Sequence, residues 1–116
     1  MNEPLQQALE FANYRQTFAI QHKTIKEKID AKLTVGWSGG IFKIDQSLIT
    51  FVEMLITMGR TADVPLIDSN GNPILIENLE NFKTEIFDRY FTACHEYFQE
   101  YEKLKKSRSV EALLNI

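Results

Sequence analysis

The chain has one cysteine, Cys94, so no intramolecular disulfide can form and no multi-cysteine zinc site can be assembled. Histidine is almost as scarce, with only His22 and His95, and neither has a Glu three residues before it, as a carboxylate-bridged metal site would require. The first thirty residues are studded with Gln, Asn and Arg and lack the apolar core of a signal peptide. The most apolar stretch, Leu48 to Met58, is interrupted by Thr50, Glu53 and Thr57 and is far shorter than the roughly 20 residues that cross a bilayer. Positive charge is not in excess either: 13 Lys plus Arg face 16 Asp plus Glu, for a net charge of −3. That balance argues against an electrostatic nucleic-acid binder and, with the missing apolar span, against a membrane protein.

The 116 residues, 44% hydrophobic and 25% charged, are a single domain's worth of globular chain over 1–116. Glycine and proline divide them into helix, hairpin, helix, hairpin and helix, an α+β fold that is mainly helical. Pro4 suits a first helical turn, and no Gly or Pro follows until Gly36, which predicts a helix over about 4–31. Phe11, Arg15, Phe18, His22, Ile25 and Ile29 fall on one stripe of it. Lys23, Lys26, Lys28 and Lys32 stand among Glu27 and Asp30 and read as solvated surface, not as a phosphate site.

A first hairpin is predicted over about 33–44, turning at Ser38-Gly39, whose surroundings match no phosphate-binding glycine fingerprint. Asp45 is placed to cap a helix over about 46–58 that Gly59 can end in a left-handed conformation. This helix is apolar almost all round, which predicts a central, buried element, with Leu55 in the core or at an oligomer interface. A second hairpin, about 64–76, turns at Asn70-Gly71. With those two residues as the loop, Asp68 would face Pro73. The parallel placing of both hairpins before helices suggests that they join one small sheet. Asp68, Asn70 and Asn72 also sit at alternating positions of a calcium loop, but Pro73 and Leu79 occupy the places where that loop needs Gly and Glu.

The final long helix, about 78–106, concentrates Phe82, Phe87, Tyr90, Phe91, Tyr97, Phe98 and Tyr101 on an apolar arc of about 180°, where one packing partner needs only about 100°. Cys94, within that arc, is expected to be buried as a small hydrophobe. Glu96 and Glu100 lie on the polar side as solvated acids. Lys103, Lys105, Lys106 and Arg108 close the helix with charges that complement its dipole. Residues 107–116 then form a short C-terminal helical turn or docking tail, capped by Ser109 and carrying Val110, Leu113, Leu114 and Ile116. Nothing assembles a base, a nucleophile and an oxyanion site, so the expectation is a protein that is not an enzyme and uses no metal or cofactor.

Four stretches carry a resemblance: Phe42-Lys-Ile-Asp-Gln-Ser-Leu-Ile-Thr-Phe-Val52, Asp63-Val-Pro-Leu-Ile-Asp-Ser-Asn-Gly-Asn-Pro-Ile74, Asp88-Arg-Tyr-Phe-Thr-Ala93 and Tyr101-Glu-Lys-Leu-Lys-Lys-Ser-Arg-Ser-Val-Glu111. Together, over about residues 33–114, the pattern resembles small uncharacterised or virion structural proteins of T4-like marine phages, notably those of cyanobacteria. The resemblance implies a product of an infected bacterial cytoplasm that acts in the virion or beside its assembly. It brings no catalytic or ligand residues.

The expected function is therefore non-enzymatic protein–protein contact, with a homodimer as the default and other phage proteins as further partners. The expected interaction surface is Phe87, Phe91, Phe98, Tyr101, Leu113 and Leu114. Alternatives are a regulator that binds a host protein, or a small ligand-binding domain with its site among Tyr90, Tyr97 and Tyr101.

The turn assignment is directly testable. Replacing Gly71 by Val should cost more than about 1 kcal/mol in denaturant unfolding, because a β-branched residue is heavily strained at positive φ.

Overall fold

The computed structural model describes residues 3–115. In chain order the elements are α1 (Glu3–Lys32), β1 (Thr34–Trp37), β2 (Gly40–Lys43), α2 (Gln46–Thr57), β3 (Ala62–Ile67), β4 (Pro73–Asn78), α3 (Leu79–Lys106) and α4 (Val110–Leu114). The fold is the mainly helical α+β arrangement expected, with three long helices and two antiparallel hairpins. It divides into two compact units: Asp30–Cys94, and the described residues before Asp30 together with those after Cys94.

In the unit Asp30–Cys94, local signals act as the sequence suggests. Ser38 and Gly39 both have positive φ, 51° and 84°, so β1 and β2 meet in a two-residue turn with Trp37 opposite Gly40. The cross-strand pair Val35–Phe42 points into the core. Asp45 caps α2 by accepting from the Leu48 N–H at 2.8 Å. At the other end Gly59, at φ +82°, donates to the Ile56 carbonyl and Arg60 to that of Leu55, which are the two bonds of a Schellman ending. Asn78 caps α3 through the Asn81 N–H.

The core of this unit is aromatic at its centre. Phe82 of α3 is fully buried and meets the Trp37 ring at 5.4 Å and the Phe42 ring at 5.1 Å, both edge-on. Gly40 is buried under Ile74 of β4, and a Cβ there would lie 2.5 Å from Cγ1 of Ile74, so this close approach needs a position without a side chain.

Three expectations require correction. Helix α2 is not central: Val52 is its single fully buried residue, Leu55 is half-buried, and Phe51, Met54 and Met58 are exposed. All-round apolarity reported the helix's composition, but not how many neighbours cover it. The hairpins do not share a sheet; each is its own two-stranded sheet. The β3–β4 register is also one residue from that expected, with Ile67 opposite Pro73 and Leu66 opposite Ile74. Only Gly71 in that turn has positive φ, 78°. The Gly71 N–H bonds to the Asp68 carbonyl at 3.0 Å and the Asp68 N–H to the Asn72 carbonyl at 2.9 Å, which makes a three-residue loop, Ser69 to Gly71. Because Asp68 and Asn72 form the bonded pair, Pro73 still falls at a non-bonded position where its missing N–H costs no ladder bond.

The other unit is built on α1, the later turns of α3, and α4. Ile25, Ile29, Leu104 and Leu113 are its buried residues. Its inward stripe on α1 begins with Tyr14, followed by Phe18 and His22, whose rings succeed one another at 6.2 and 6.3 Å. Phe11 and Arg15, expected on that stripe, lie outside it, with the Arg15 guanidinium over the Phe11 ring. The Tyr14 hydroxyl donates to the Ser107 carbonyl at 2.6 Å, and the Gln21 amide donates to that of Leu113. Ser109 caps α4 by accepting from the Ala112 N–H. Ile116, expected in this last turn, lies outside the described residues.

Truncating Phe82 to Ala should cost about 3–5 kcal/mol, as large buried aromatics do. Leu55→Ala should cost clearly less than the roughly 2–5 kcal/mol of a fully buried leucine. Urea unfolding of the two variants against the parent checks both.

Candidate contact surfaces

The expected contact residues separate into three groups. Phe87, Phe91, Phe98 and Leu114 are exposed, the phenylalanines at 51%, 67% and 62%. Phe87 and Phe91 stand one helical turn apart in the unit Asp30–Cys94, while Phe98 and Leu114 belong to the other. Tyr101 is half-buried, with its ring 5.2 Å from His22 and edge-on to Tyr97, and the Lys105 ammonium lies over it. Leu113 is fully buried and leaves the candidate surface. Helix α4 is a short amphipathic turn, so Leu113 and Leu114, adjacent in sequence, lie about 100° apart around it, one buried and the other exposed.

A surface that the sequence reading missed lies on the second hairpin. In β3 and β4, Val64, Leu66 and Ile76 point into the core. The alternating positions Pro65, Ile67, Pro73 and Leu75 point outward and pair across the strands as Pro65–Leu75 and Ile67–Pro73. All four are apolar and exposed, Ile67 at 65% and Leu75 at 53%. The solvated side of an antiparallel hairpin is normally polar. The signal was present in the unbroken runs Val64-Pro-Leu-Ile67 and Pro73-Ile-Leu-Ile76, which are the pattern of strands covered on both faces.

The tip of that hairpin is fixed by charge. Asp68 is buried, and its carboxylate accepts three main-chain N–H bonds, from Asn72 at 2.9 Å, Asn70 at 3.0 Å and Ile41 of β2 at 3.1 Å. Ser69 continues the junction, donating its N–H to the Ile41 carbonyl and accepting the Lys43 N–H on its hydroxyl. The N–H groups of Asn72 and then Ile41 and Asn70 hold the Asp68 carboxyl below the usual carboxylate range, against the opposing effect of burial. Donors converging on this carboxylate oppose a cation there, which is the physical objection to the calcium reading of Asp68, Asn70 and Asn72.

Elsewhere, Cys94 is exposed, not buried as its place in the apolar arc suggested. The Tyr90 hydroxyl is pushed above its ordinary range, first by burial and then by its bond with Cys94, with a bond to Gln46 opposing. In the other unit, His22 Nε2 lies 2.8 Å from the Tyr97 hydroxyl. Of the basic residues on α1, Lys28 reaches Glu100 at 2.7 Å and Glu96 at 3.4 Å, and Lys23 reaches Glu27. Bonding to Glu100 first, and then its charge, raises the Lys28 pKa. An open groove of about 850 Å³ in the same unit is lined by Gln7, Phe11, Asn13, Tyr14, Gln16 and Arg108, among others. Its polar amides gave no pattern in the sequence. Among the described residues, no helix is long and apolar enough to cross a membrane.

The chain matches no protein-family model, no curated protein and no solved structure.

The Asp68 junction should show in a pH series. Because its carboxyl is depressed in the folded state, its stabilisation is complete above the ordinary carboxylate range and is lost as pH falls through the lower, folded value. Asp68→Asn, which presents an amide donor to N–H donors, should melt below the parent at neutral pH. The gap should narrow as acid protonates Asp68. Thermal unfolding of both proteins across the acid range checks this.

Proposed function

We propose that this chain works through protein–protein contact, as a non-enzymatic structural or assembly protein of the kind that the resemblance to small T4-like phage proteins implies. On this reading it is made in an infected bacterial cytoplasm and acts there or in the virion. A second copy of the chain is its default partner and other phage proteins are further ones. The observation that carries the reading is the outward side of β3–β4, where two cross-strand pairs, Pro65–Leu75 and Ile67–Pro73, are apolar throughout. Contiguous apolar area of this kind marks interaction sites more often than scattered exposed hydrophobes do. The exposed Phe87 and Phe91 on α3, and Phe98 and Leu114 in the other unit, supply further apolar contact area.

The test is mass by light scattering on the parent and on two double variants, Phe91→Glu with Phe98→Glu and Ile67→Glu with Leu75→Glu. The expected outcome is an oligomeric parent and at least one folded, monomeric variant, with folding checked by circular dichroism. A parent that stays monomeric at high concentration overturns the homo-oligomer. Mass spectrometry of purified particles then decides whether the chain is a virion component.

A further inference from the structure

We propose that Asn70 is a site of spontaneous deamidation and that the Asp68 junction sets its rate. Asparagine is a thermolabile side chain. Its loss begins when the following residue's backbone nitrogen attacks the side-chain carbonyl carbon, so the following residue decides how readily it happens. Asn70 is the only asparagine in the chain followed by glycine. It is exposed in the hairpin loop, and nothing lies within 4 Å of the place where a Gly71 Cβ would stand. Gly71 has no side chain of its own to obstruct attack. Asn72, two residues further on, is followed by Pro73, whose nitrogen carries no hydrogen and cannot act as the nucleophile, which makes Asn72 an internal control.

The reaction balances within the loop and one water. The Gly71 nitrogen loses its proton and bonds to Cγ of Asn70. The Cγ–Nδ2 bond breaks, and the amide nitrogen leaves as ammonia, taking up that proton. Water then opens the five-membered imide at one of its two carbonyls, giving aspartate or isoaspartate. Nothing is oxidised or reduced.

The folded turn restrains the first step. The Gly71 N–H donates to the Asp68 carbonyl at 3.0 Å, so the nucleophile is already engaged. The Asn70 N–H donates to Oδ1 of Asp68 at 3.0 Å, which fixes the main chain on the other side of the reacting carbon. Cyclisation must break this arrangement, and Asp68 is itself held by β2 through Ile41. Deamidation is thus limited by how often the tip opens. The product acts back on the same junction, since either outcome sets a new carboxylate beside Asp68 and isoaspartate also lengthens the main chain. Both loosen the hold of the second hairpin on the first.

The experiment incubates the full chain in mildly alkaline buffer and follows the one-dalton gain by peptide mapping. Four samples are compared: the folded parent, the parent in urea, Asp68→Ala and the milder Ser69→Ala, which removes only the hydroxyl that holds Lys43. Expected are slow conversion of Asn70 in the folded parent, conversion several-fold faster in Asp68→Ala and fastest in urea, and none at Asn72. If Asp68→Ala fails to fold, a folded Ser69→Ala converting faster than the parent carries the same conclusion. An Asn70 amide that survives in urea overturns the site. Rates that match the folded parent in every folded variant overturn the role of the junction.

Discussion

A buried carboxylate, with Ser69 beside it, joins two hairpins that share no strand ladder. Asp68 closes the β3–β4 loop through the N–H groups of Asn70 and Asn72 and, with the same side chain, accepts from Ile41 on β2. Burying a charge is costly unless its oxygens are satisfied, and three main-chain donors satisfy them here. The dependence also runs the other way. Without this acceptor, three backbone N–H groups lose their partner at once, and an unmade bond in a buried setting costs more than a made one contributes. The close approach of Ile74 to Gly40 packs against the arrangement that this carboxylate fixes.

How much of this was legible follows from the range of each interaction. Ser38-Gly39, the Asp45 cap and the Gly59 ending are decided by a few consecutive residues, and the structure has them where local chemistry puts them. The β3–β4 register is decided at a distance. Asn70-Gly71 alone favours a two-residue turn, but Asp68 gains a bond to β2 by closing a loop one residue longer. Helix α2 shows a different limit, because an apolar surface states what a helix could bury and not what is placed against it. For the candidate surface, the exposed Phe87, Phe91 and Phe98 could be read from the α3 arc. Leu113 could not be told from Leu114, since both are leucines of one short turn and only what packs around that turn decides which is buried.

The apolar residues left open are not distributed as solubility would favour. On β3 and β4 the outward positions could be threonine or lysine without disturbing the core, because alternate side chains of a strand face opposite ways. Their apolar identity is therefore unexplained by the fold of the unit Asp30–Cys94 itself. That is the physical ground on which the proposed contact role rests. It does not depend on the aromatic arc of α3, and the two surfaces can be altered separately.

The single tryptophan gives the molecule a built-in reporter of one part only. Trp37 lies on β1 with its ring against Phe82, inside the unit Asp30–Cys94. Its emission therefore responds to the dissolution of that aromatic centre, whereas far-ultraviolet ellipticity is dominated by helix drawn from both units. Coincident transitions by the two signals would mean that the chain melts as one cooperative body. Separated transitions would assign an independent melting temperature to each half, without any label being introduced.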